Sequence, residues 1–460
     1  MSLLDAKVAA ARAAGALSRR AGRGGTSLPG KVLMRLEPHA IGRLAARLPN
    51  GSAVISATNG KTTTAGMVAA VLERTGARLV HNRAGANMAG GVASALLQSA
   101  RRDGGLSGDT GLFEVDEFWL GQVVDELRPR ALLLANLFRD QLDRYGELDT
   151  IADRWLHIAA RTPATLVLNA DDPTVADLGR ARGGDADVPG VTFFGVEDDA
   201  IAMAEMQHAA DAKHCRRCGA PYRYDAIYLG HLGRYHCEAC GASRPAPQVS
   251  AHDVVLDGIR GARFTLRTPT GERAIALPLP GLYNVYNALG AAALALELGA
   301  GLDDVAAGLE AVSAAFGRAE TVTIGGRELS ILLVKNPAGA NEVLRTLALE
   351  PGEHDVLAVL NDNIADGRDV SWVWDADFEV LAGRVRRVTC SGTRAAEMAL
   401  RLKYAGVAPE RIAVAPELSA GLDRALADGD GRLFALPTYT AMLALRDVLV
   451  DRGAAGSSFA

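Results

Sequence analysis

Several things are missing from these 460 residues, and each absence removes a class of protein. No apolar run approaches the ~18 to 20 residues that would span a bilayer. The first residues carry Asp5 and Lys7 ahead of an Ala/Arg-rich segment, so the apolar core of a signal peptide is absent too. There is no basic block, and 49 Lys and Arg against 54 Asp and Glu give a formal net charge of -5. That balance opposes binding to a phosphate backbone, and nucleic acid is not an expected partner. Cysteine is scarce: of five, four form two close pairs, which suits metal binding in a reducing compartment and not a disulfide framework. A cytoplasmic globular protein is expected. Its length, with 49% apolar residues, is enough for two or three domains with substantial cores.

What is present centres on Thr58-Asn59-Gly60-Lys61-Thr62-Thr63-Thr64. The apolar run Ala53-Val54-Ile55 precedes it and a helical pattern from Ala65 follows. A strand therefore feeds a helix through a turn whose amide N–H groups and helix N-terminus face an anion. This predicts a nucleoside triphosphate site, in which the Lys61 ammonium reaches the β/γ-phosphates and the Thr62 hydroxyl ligates Mg²⁺. The general G-x-x-x-x-G-K-[ST] pattern wants glycine where this chain has Ile55, and an ordinary strand–turn–helix connection is the competing reading.

From residue 54 to about 196, strand-like and helix-like segments alternate as in a parallel sheet covered on both faces. Strands are expected at Ala53–Ser56, Leu112–Val115, Ala131–Asn136, Thr165–Asn169 and Val191–Phe194. Glu114 sits at the end of the second, where a carboxylate across from Thr62 suits a Mg²⁺-triphosphate; a capping or solvated carboxylate is the alternative. The polar stretches Asn136 to Gly146 and Asn169 to Pro173 read as loops opening helices, with Asp140 a possible N-cap.

Two knuckles, Cys215-Arg216-Arg217-Cys218-Gly219 and Cys237-Glu238-Ala239-Cys240-Gly241, interrupt this pattern. Four thiolates close a tetrahedral Zn²⁺ shell with no open position, so an insertion at about 208–246 is expected to carry structural zinc; an iron–sulfur centre is the main alternative. His214 and His236 lie beside the knuckles. Further on, Asn284 and Asn287 open a helix expected at Tyr283–Leu298 and share one face; adenine hydrogen bonding is one use and capping the other. Gly317-Arg318-Ala319-Glu320 precedes a fresh α/β alternation. The expected organisation is an N-terminal helical segment (1–45, with helices at Leu3–Ser18 and about Ile41–Leu48), an ATP-binding domain (46–316) and a C-terminal α/β domain (317–460). Two polar loops of the last domain, 334–339 and 361–375, follow strands. The second holds several carboxylates beside Trp372 and Trp374 and reads as a site or interface. The fifth cysteine, Cys390, reads as a buried core thiol.

The segment from Ala57 to Thr63, Glu114, Asn136 with Asp140-Gln141-Leu142-Asp143-Arg144, Asn169 to Asp172, Asn284 to Leu289 and Gly317 to Glu320 occur in an order that resembles the Mur ligase superfamily. These are ATP-dependent enzymes that join amino acids to the peptidoglycan stem peptide. The resemblance covers about residues 45 to 450. It implies a P-loop domain with a parallel sheet and a four-cysteine zinc-ribbon insertion, plus a C-terminal Rossmann-like domain. Thr58, Asn59, Gly60, Lys61, Thr62, Thr63, Asn284, Asn287 and Arg318 would hold the nucleotide, and Thr62 and Glu114 the Mg²⁺. Departures narrow the choice. About fifty residues precede the loop, too few for the separate domain that holds a UDP-linked substrate in most members. Gln141 stands where many have a metal-binding histidine, and Leu148 to Arg161 lacks the lysine that several carbamylate, which leaves a second Mg²⁺ site open.

The four-cysteine insertion and the 361–375 loop resemble, within the superfamily, the MurT family of ligase-like subunits that work with a GatD-type glutaminase. The implied reaction is ATP-dependent amidation of the D-glutamate α-carboxylate in lipid II to D-isoglutamine, through an acyl phosphate. Ammonia would come from the partner, and contact with the inner face of the membrane would be peripheral. Lys61 and Glu114 would serve the ligase site. Asp369, with Asp366 and Asp362 as competitors, would complete the partner's Cys-His site. A folylpolyglutamate-synthase-like ligase and a non-catalytic nucleotide-binding scaffold are the competing readings.

Overall fold

The computed structural model describes residues 3–20, 27–82, 86–101, 103–140, 148–183, 190–208, 210–312, 318–427, 429 and 431–455. Gln141 and Gly317 lie outside the described residues, as does the side chain of Arg318. The first sheet contains β1 (Ser52–Ser56), β2 (Leu79–His81), β3 (Thr110–Glu114), β4 (Ala131–Leu134), β5 (Thr165–Asn169) and β6 (Val191–Val196). A separate hairpin of β7 (Arg223–Leu229) and β8 (Leu232–His236) follows, and β9 (Val249–Leu256), β10 (Ala262–Thr268) and β11 (Gly271–Leu277) return to the sheet. Its order is β11-β10-β9-β6-β5-β4-β1-β3-β2. The pairings from β2 to β9 are parallel, and β10 and β11 run antiparallel.

Strand β1 is buried along its whole length because β3 and β4 flank it and helices cover both faces. Its side chains still alternate. Ile55 joins Met67, Val71, Val285 and Leu289 on one face, from the helices Lys61–Arg74 and Leu282–Glu297. Val54 joins Leu33, Leu96, Val123 and Trp155 on the other. Leu4, Val8 and Ala11 of the helix Leu3–Arg20 are buried in that second cluster, so the first helix turns its apolar stripe onto the protein itself. Among the described residues, no helix is long and apolar enough to cross a membrane.

The second sheet holds β12 (Arg318–Ile324), β13 (Arg327–Leu332), β14 (His354–Val359), β15 (Val385–Ser391), β16 (Ile412–Val414) and β17 (Leu433–Pro437). Its order is β12-β13-β17-β14-β15-β16, parallel except for the β12–β13 hairpin. The loops after β13 and β14 therefore share the carboxyl edge of this sheet, as their sequence suggests.

Several elements differ from expectation. Arg318 to Glu320 already lie in β12, whose turn is made by Gly325 and Gly326 at φ 58° and 79°, the backbone that a two-residue hairpin loop requires. The second N-terminal helix spans Ala40–Ala45 and is shorter than expected. The helix Leu28–Leu36 was not expected, and it carries Pro29 and Gly30 near its start. Proline in the first turn removes no helical hydrogen bond, and Gly30 lets this helix touch its neighbour: a Cβ there would meet the Gly90 carbonyl oxygen at 2.0 Å. β9 is obscured in sequence by an irregularity at Asp253, which has φ 51°.

Candidate active site

The turn after β1 is built by its own residues and one neighbouring loop. Gly60 takes the N-cap position of the helix Lys61–Arg74 at φ 85°, and a Cβ there would meet the Asn287 Oδ1 at 2.0 Å. Asn136, just past β4, locks the turn in place: its Oδ1 accepts from the Asn59 amide at 2.9 Å and its Nδ2 donates to the Asn59 carbonyl at 3.0 Å. The Thr58 hydroxyl and Phe138 backbone exchange hydrogen bonds at 3.0 and 3.2 Å. Asn59, Gly60 and Thr63 of this turn line the cavity described below.

Lys61 donates to the Ala57 carbonyl and to Glu117 Oε2, the latter at 2.9 Å. Burial pulls its pKa down, and Glu117, with Asp116 and Asp140, more than offsets this, so the ammonium is held above its ordinary value. Glu114 is 2% exposed at the end of β3, opposite Ile55 of β1, and Asn82 brackets its backbone at 3.0 and 2.8 Å. Glu114 is thus a buried carboxylate on the strand next to β1, whose turn leads to Thr62.

The second sheet closes over this site. Lys335 Nζ reaches Asp140 Oδ2 at 2.7 Å, and Asn336 Nδ2 donates to Asn59 Oδ1 at 2.9 Å. Asp140 is thus an ion-pair partner across the cleft; the segment that it is expected to cap lies outside the described residues. Asn336 caps the helix Pro337–Ala348, accepting from Gly339. Between the two sheets lies a cavity of about 990 Å³ including its mouth, whose lining includes Asn59, Gly60, Asn284, Asn287, Lys335 and Glu342. Asn287 Nδ2 donates to Asn284 Oδ1 at 3.0 Å, and Asn284 Nδ2 donates back to the Pro280 carbonyl, so the pair shares one face and does not cap the helix. Glu342 is the lining residue that sequence reasoning missed. It sits inside an amphipathic helix with nothing local to mark it.

The four cysteines frame the β7–β8 hairpin, which is a detour in the crossover from β6 to β9. All four Sγ atoms lie within 4.8 Å of one another, with Cys215–Cys240 at 3.6 Å and Cys218–Cys237 at 3.5 Å. A tetrahedral shell with Zn–S bonds of about 2.3 Å needs sulfurs about 3.8 Å apart, so the donor set fits zinc. Gly219 and Gly241 turn each knuckle at φ 79° and 76°. The insertion is anchored by Arg244, which donates to Asp171 and Glu197 at 2.6 and 2.7 Å, while the Tyr286 hydroxyl donates to Asp171 at 2.6 Å.

On the loop after β14 the three candidate aspartates have different surroundings. Asp362 pairs with Arg394 at 2.8 Å, and Asp366 is buried, accepting from the Thr440 amide at 2.7 Å. Asp369 is exposed, with its carboxylate steadied by Ser371, whose hydrogen bonds hold its pKa below the ordinary value. It lines a second pocket with Asp140, Lys335 and Trp372, and Lys335 also lines the cavity between the sheets. Cys390 is fully buried in the second sheet's core, and burial pushes its pKa up to about 12.

A parallel sheet with a phosphate turn at its carboxyl edge, closed by a second α/β sheet, defines a Mur-type ligase. The Mur ligase middle domain matches residues 55–238 and the MurT ligase C-terminal region matches residues 333–442. The fold is shared with a pseudomurein peptide ligase type C from Methanothermus fervidus (TM-score 0.67, 23% identity, 88% of this chain and 79% of that one). It is also shared with folylpolyglutamate synthase from Mycobacterium tuberculosis (TM-score 0.58, 18% identity, 91% and 96% covered). The subunit MurT of lipid II isoglutaminyl synthase (glutamine-hydrolyzing) from Streptococcus pneumoniae is 32% identical over 94% of both chains. The same subunit from Staphylococcus aureus strain N315 is 33% identical, again over 94% of both. The chain belongs to the MurT family.

Proposed function

We propose that this protein is the ATP-consuming subunit of a glutamine-dependent ligase that amidates the D-glutamate α-carboxylate of lipid II, in peptidoglycan synthesis. Family membership supports the reaction class. The observation that carries the site is the turn around Gly60 and Lys61, opening into the cleft between the two sheets with Glu114 one strand away.

In this reading the amides of the first helical turn and the Lys61 ammonium hold the triphosphate. Glu117 now neutralises that ammonium and would yield it to the phosphates. Thr62 and Glu114 would hold Mg²⁺, which when bound supplies charge neutralisation on the transferred phosphoryl. The substrate carboxylate attacks the γ-phosphorus and ADP leaves. Ammonia then attacks the acyl phosphate carbon, phosphate departs, and a carboxamide remains. The activation is needed because a carboxylate oxygen is a poor leaving group. The four cysteines would hold Zn²⁺ as a closed structural site, with no open position for this chemistry.

The ammonia would come from a GatD-type glutaminase docked at the loop after β14, with Asp369 completing that partner's Cys-His site. Its exposure and its freedom from the ion pairing seen at Asp362 favour it over its competitors. Lys61→Ala is expected to abolish phosphate release with lipid II, ammonium chloride and ATP; retained turnover would sink the site assignment. Asp369→Asn is expected to cut glutamine hydrolysis by the assembled complex at least tenfold while leaving ammonium-driven amidation unchanged. Undiminished glutaminase turnover removes Asp369 from the mechanism.

A further inference from the structure

Glu342 presents a carboxylate to the cleft with nothing bonded to it. It lies on the helix Pro337–Ala348, is 2% exposed and lines the cavity between the two sheets, and neither Oε1 nor Oε2 has a hydrogen-bond partner. Buried carboxylates are normally paired or hydrogen-bonded, so an orphan of this kind asks for a ligand.

The polar neighbours are already committed. Lys335 is held by Asp140, and Asn59 is paired with Asn336. Asn284 and Asn287 bond each other, and the Tyr286 hydroxyl is given to Asp171. Arg345, three residues on, turns its guanidinium to the carbonyls of Tyr228 and Ile201 at 2.7 and 2.9 Å. Apolar side chains make up much of the rest of the lining, including Leu229, Leu279, Leu332 and Val343. A cavity with aliphatic wall residues and one carboxylate left without a partner, lined also by Gly60 of the turn after β1, matches a nucleoside: the ring packs on the aliphatic residues and its donors seek the unpaired carboxylate.

We propose that Glu342 is a specificity-determining contact of the nucleotide site, accepting hydrogen bonds from the neutral donors of the nucleoside, either the ribose hydroxyls or the base amine. This rests on the reading of the cleft as an ATP site. A site built around a donor rejects the analogue that lacks it, because the buried acceptor is then left unpaired. Burial raises the Glu342 pKa to about 7 against the pull of Arg345, consistent with a group that has no stabilising partner until ligand arrives.

The test is calorimetric titration of the full chain with Mg-ATP, Mg-2′-deoxy-ATP, Mg-3′-deoxy-ATP and Mg-ITP, using the unaltered chain, Glu342→Leu and Glu342→Gln, with thermal unfolding recorded for each. The unaltered chain is expected to prefer ATP over the analogue lacking the recognised donor: a deoxy nucleotide if the hydroxyls are read, ITP if the amine is. Glu342→Leu should bind ATP roughly tenfold more weakly and lose that preference, while Glu342→Gln, which keeps one acceptor oxygen, should lie between. A folded Leu variant with unchanged ATP affinity and unchanged preferences overturns the proposal. Should the Leu variant not fold, a Gln variant identical to the unaltered chain toward all four nucleotides does the same. Lys61→Ala separates the two levels: if the unaltered chain and Lys61→Ala fail alike to bind Mg-ATP, the nucleotide site itself is misassigned.

Discussion

At the scale of single residues, Gly60 and Glu342 show opposite ways in which a site constrains a side chain. Gly60 needs a left-handed backbone and tolerates no Cβ beside Asn287. Gly60→Ala should cost about 1 kcal/mol in backbone strain alone, and the displaced Asn287 should weaken Mg-ATP binding further, read by calorimetry and thermal melts. Glu342 instead carries an electrostatic cost. Its folded-state pKa is about 7 against an ordinary 4.5, so folding takes up a proton between those values and stability falls as pH rises through that window. Glu342→Gln is expected to stabilise the nucleotide-free chain by roughly 3 kcal/mol at about pH 8, and by nothing below about pH 4, in denaturant titrations. A pH-independent difference would mean that the carboxyl is ionised or solvated in the cleft. The two residues also differ in legibility. Strand, glycine and helix start are consecutive around Gly60, so the turn could be read locally. Glu342 faces the site only because the second sheet folds over the first.

Elements follow the same division. The five strands expected for the parallel core all form, since an apolar run between turn residues is a local signal. The helix Leu28–Leu36, the three-residue β2 and the bulged β9 were hidden because their sequences carry a breaker, too few residues or a broken alternation. The β7–β8 hairpin was legible through its knuckles, whose spacing announces convergence of the four thiols. What spacing does not reveal is the anchorage through Arg244, Asp171 and Tyr286, which couples the insertion to the first sheet. Loss of the metal is therefore expected to be felt beyond the hairpin. The chain should hold one zinc by elemental analysis, and a strong chelator or Cys237→Ser should lower its melting temperature by about 5 °C or more. An unchanged melt after complete metal removal would deny the hairpin its structural role.

Taken as a whole, the molecule brings two edges of two sheets together over one cleft. The contacts that do so, Lys335 to Asp140 and Asn336 to Asn59, join residues 195 and 277 positions apart, beyond the reach of local pattern. On one side of that cleft lies the turn around Gly60, the proposed phosphate site; Asp369, which lines the adjoining pocket with Asp140 and Lys335, is the proposed docking point of the nitrogen source. The central claim is that this arrangement is the ATP-consuming half of a glutamine-driven amidation. It is tested most directly by combining the chain with its glutaminase partner, lipid II, glutamine and Mg-ATP, and following lipid II by mass spectrometry alongside ADP. The account predicts conversion of one carboxyl to a carboxamide with one ADP formed per amide, and none with Lys61→Ala. Unaltered lipid II, with no ADP beyond that formed in its absence, would contradict it.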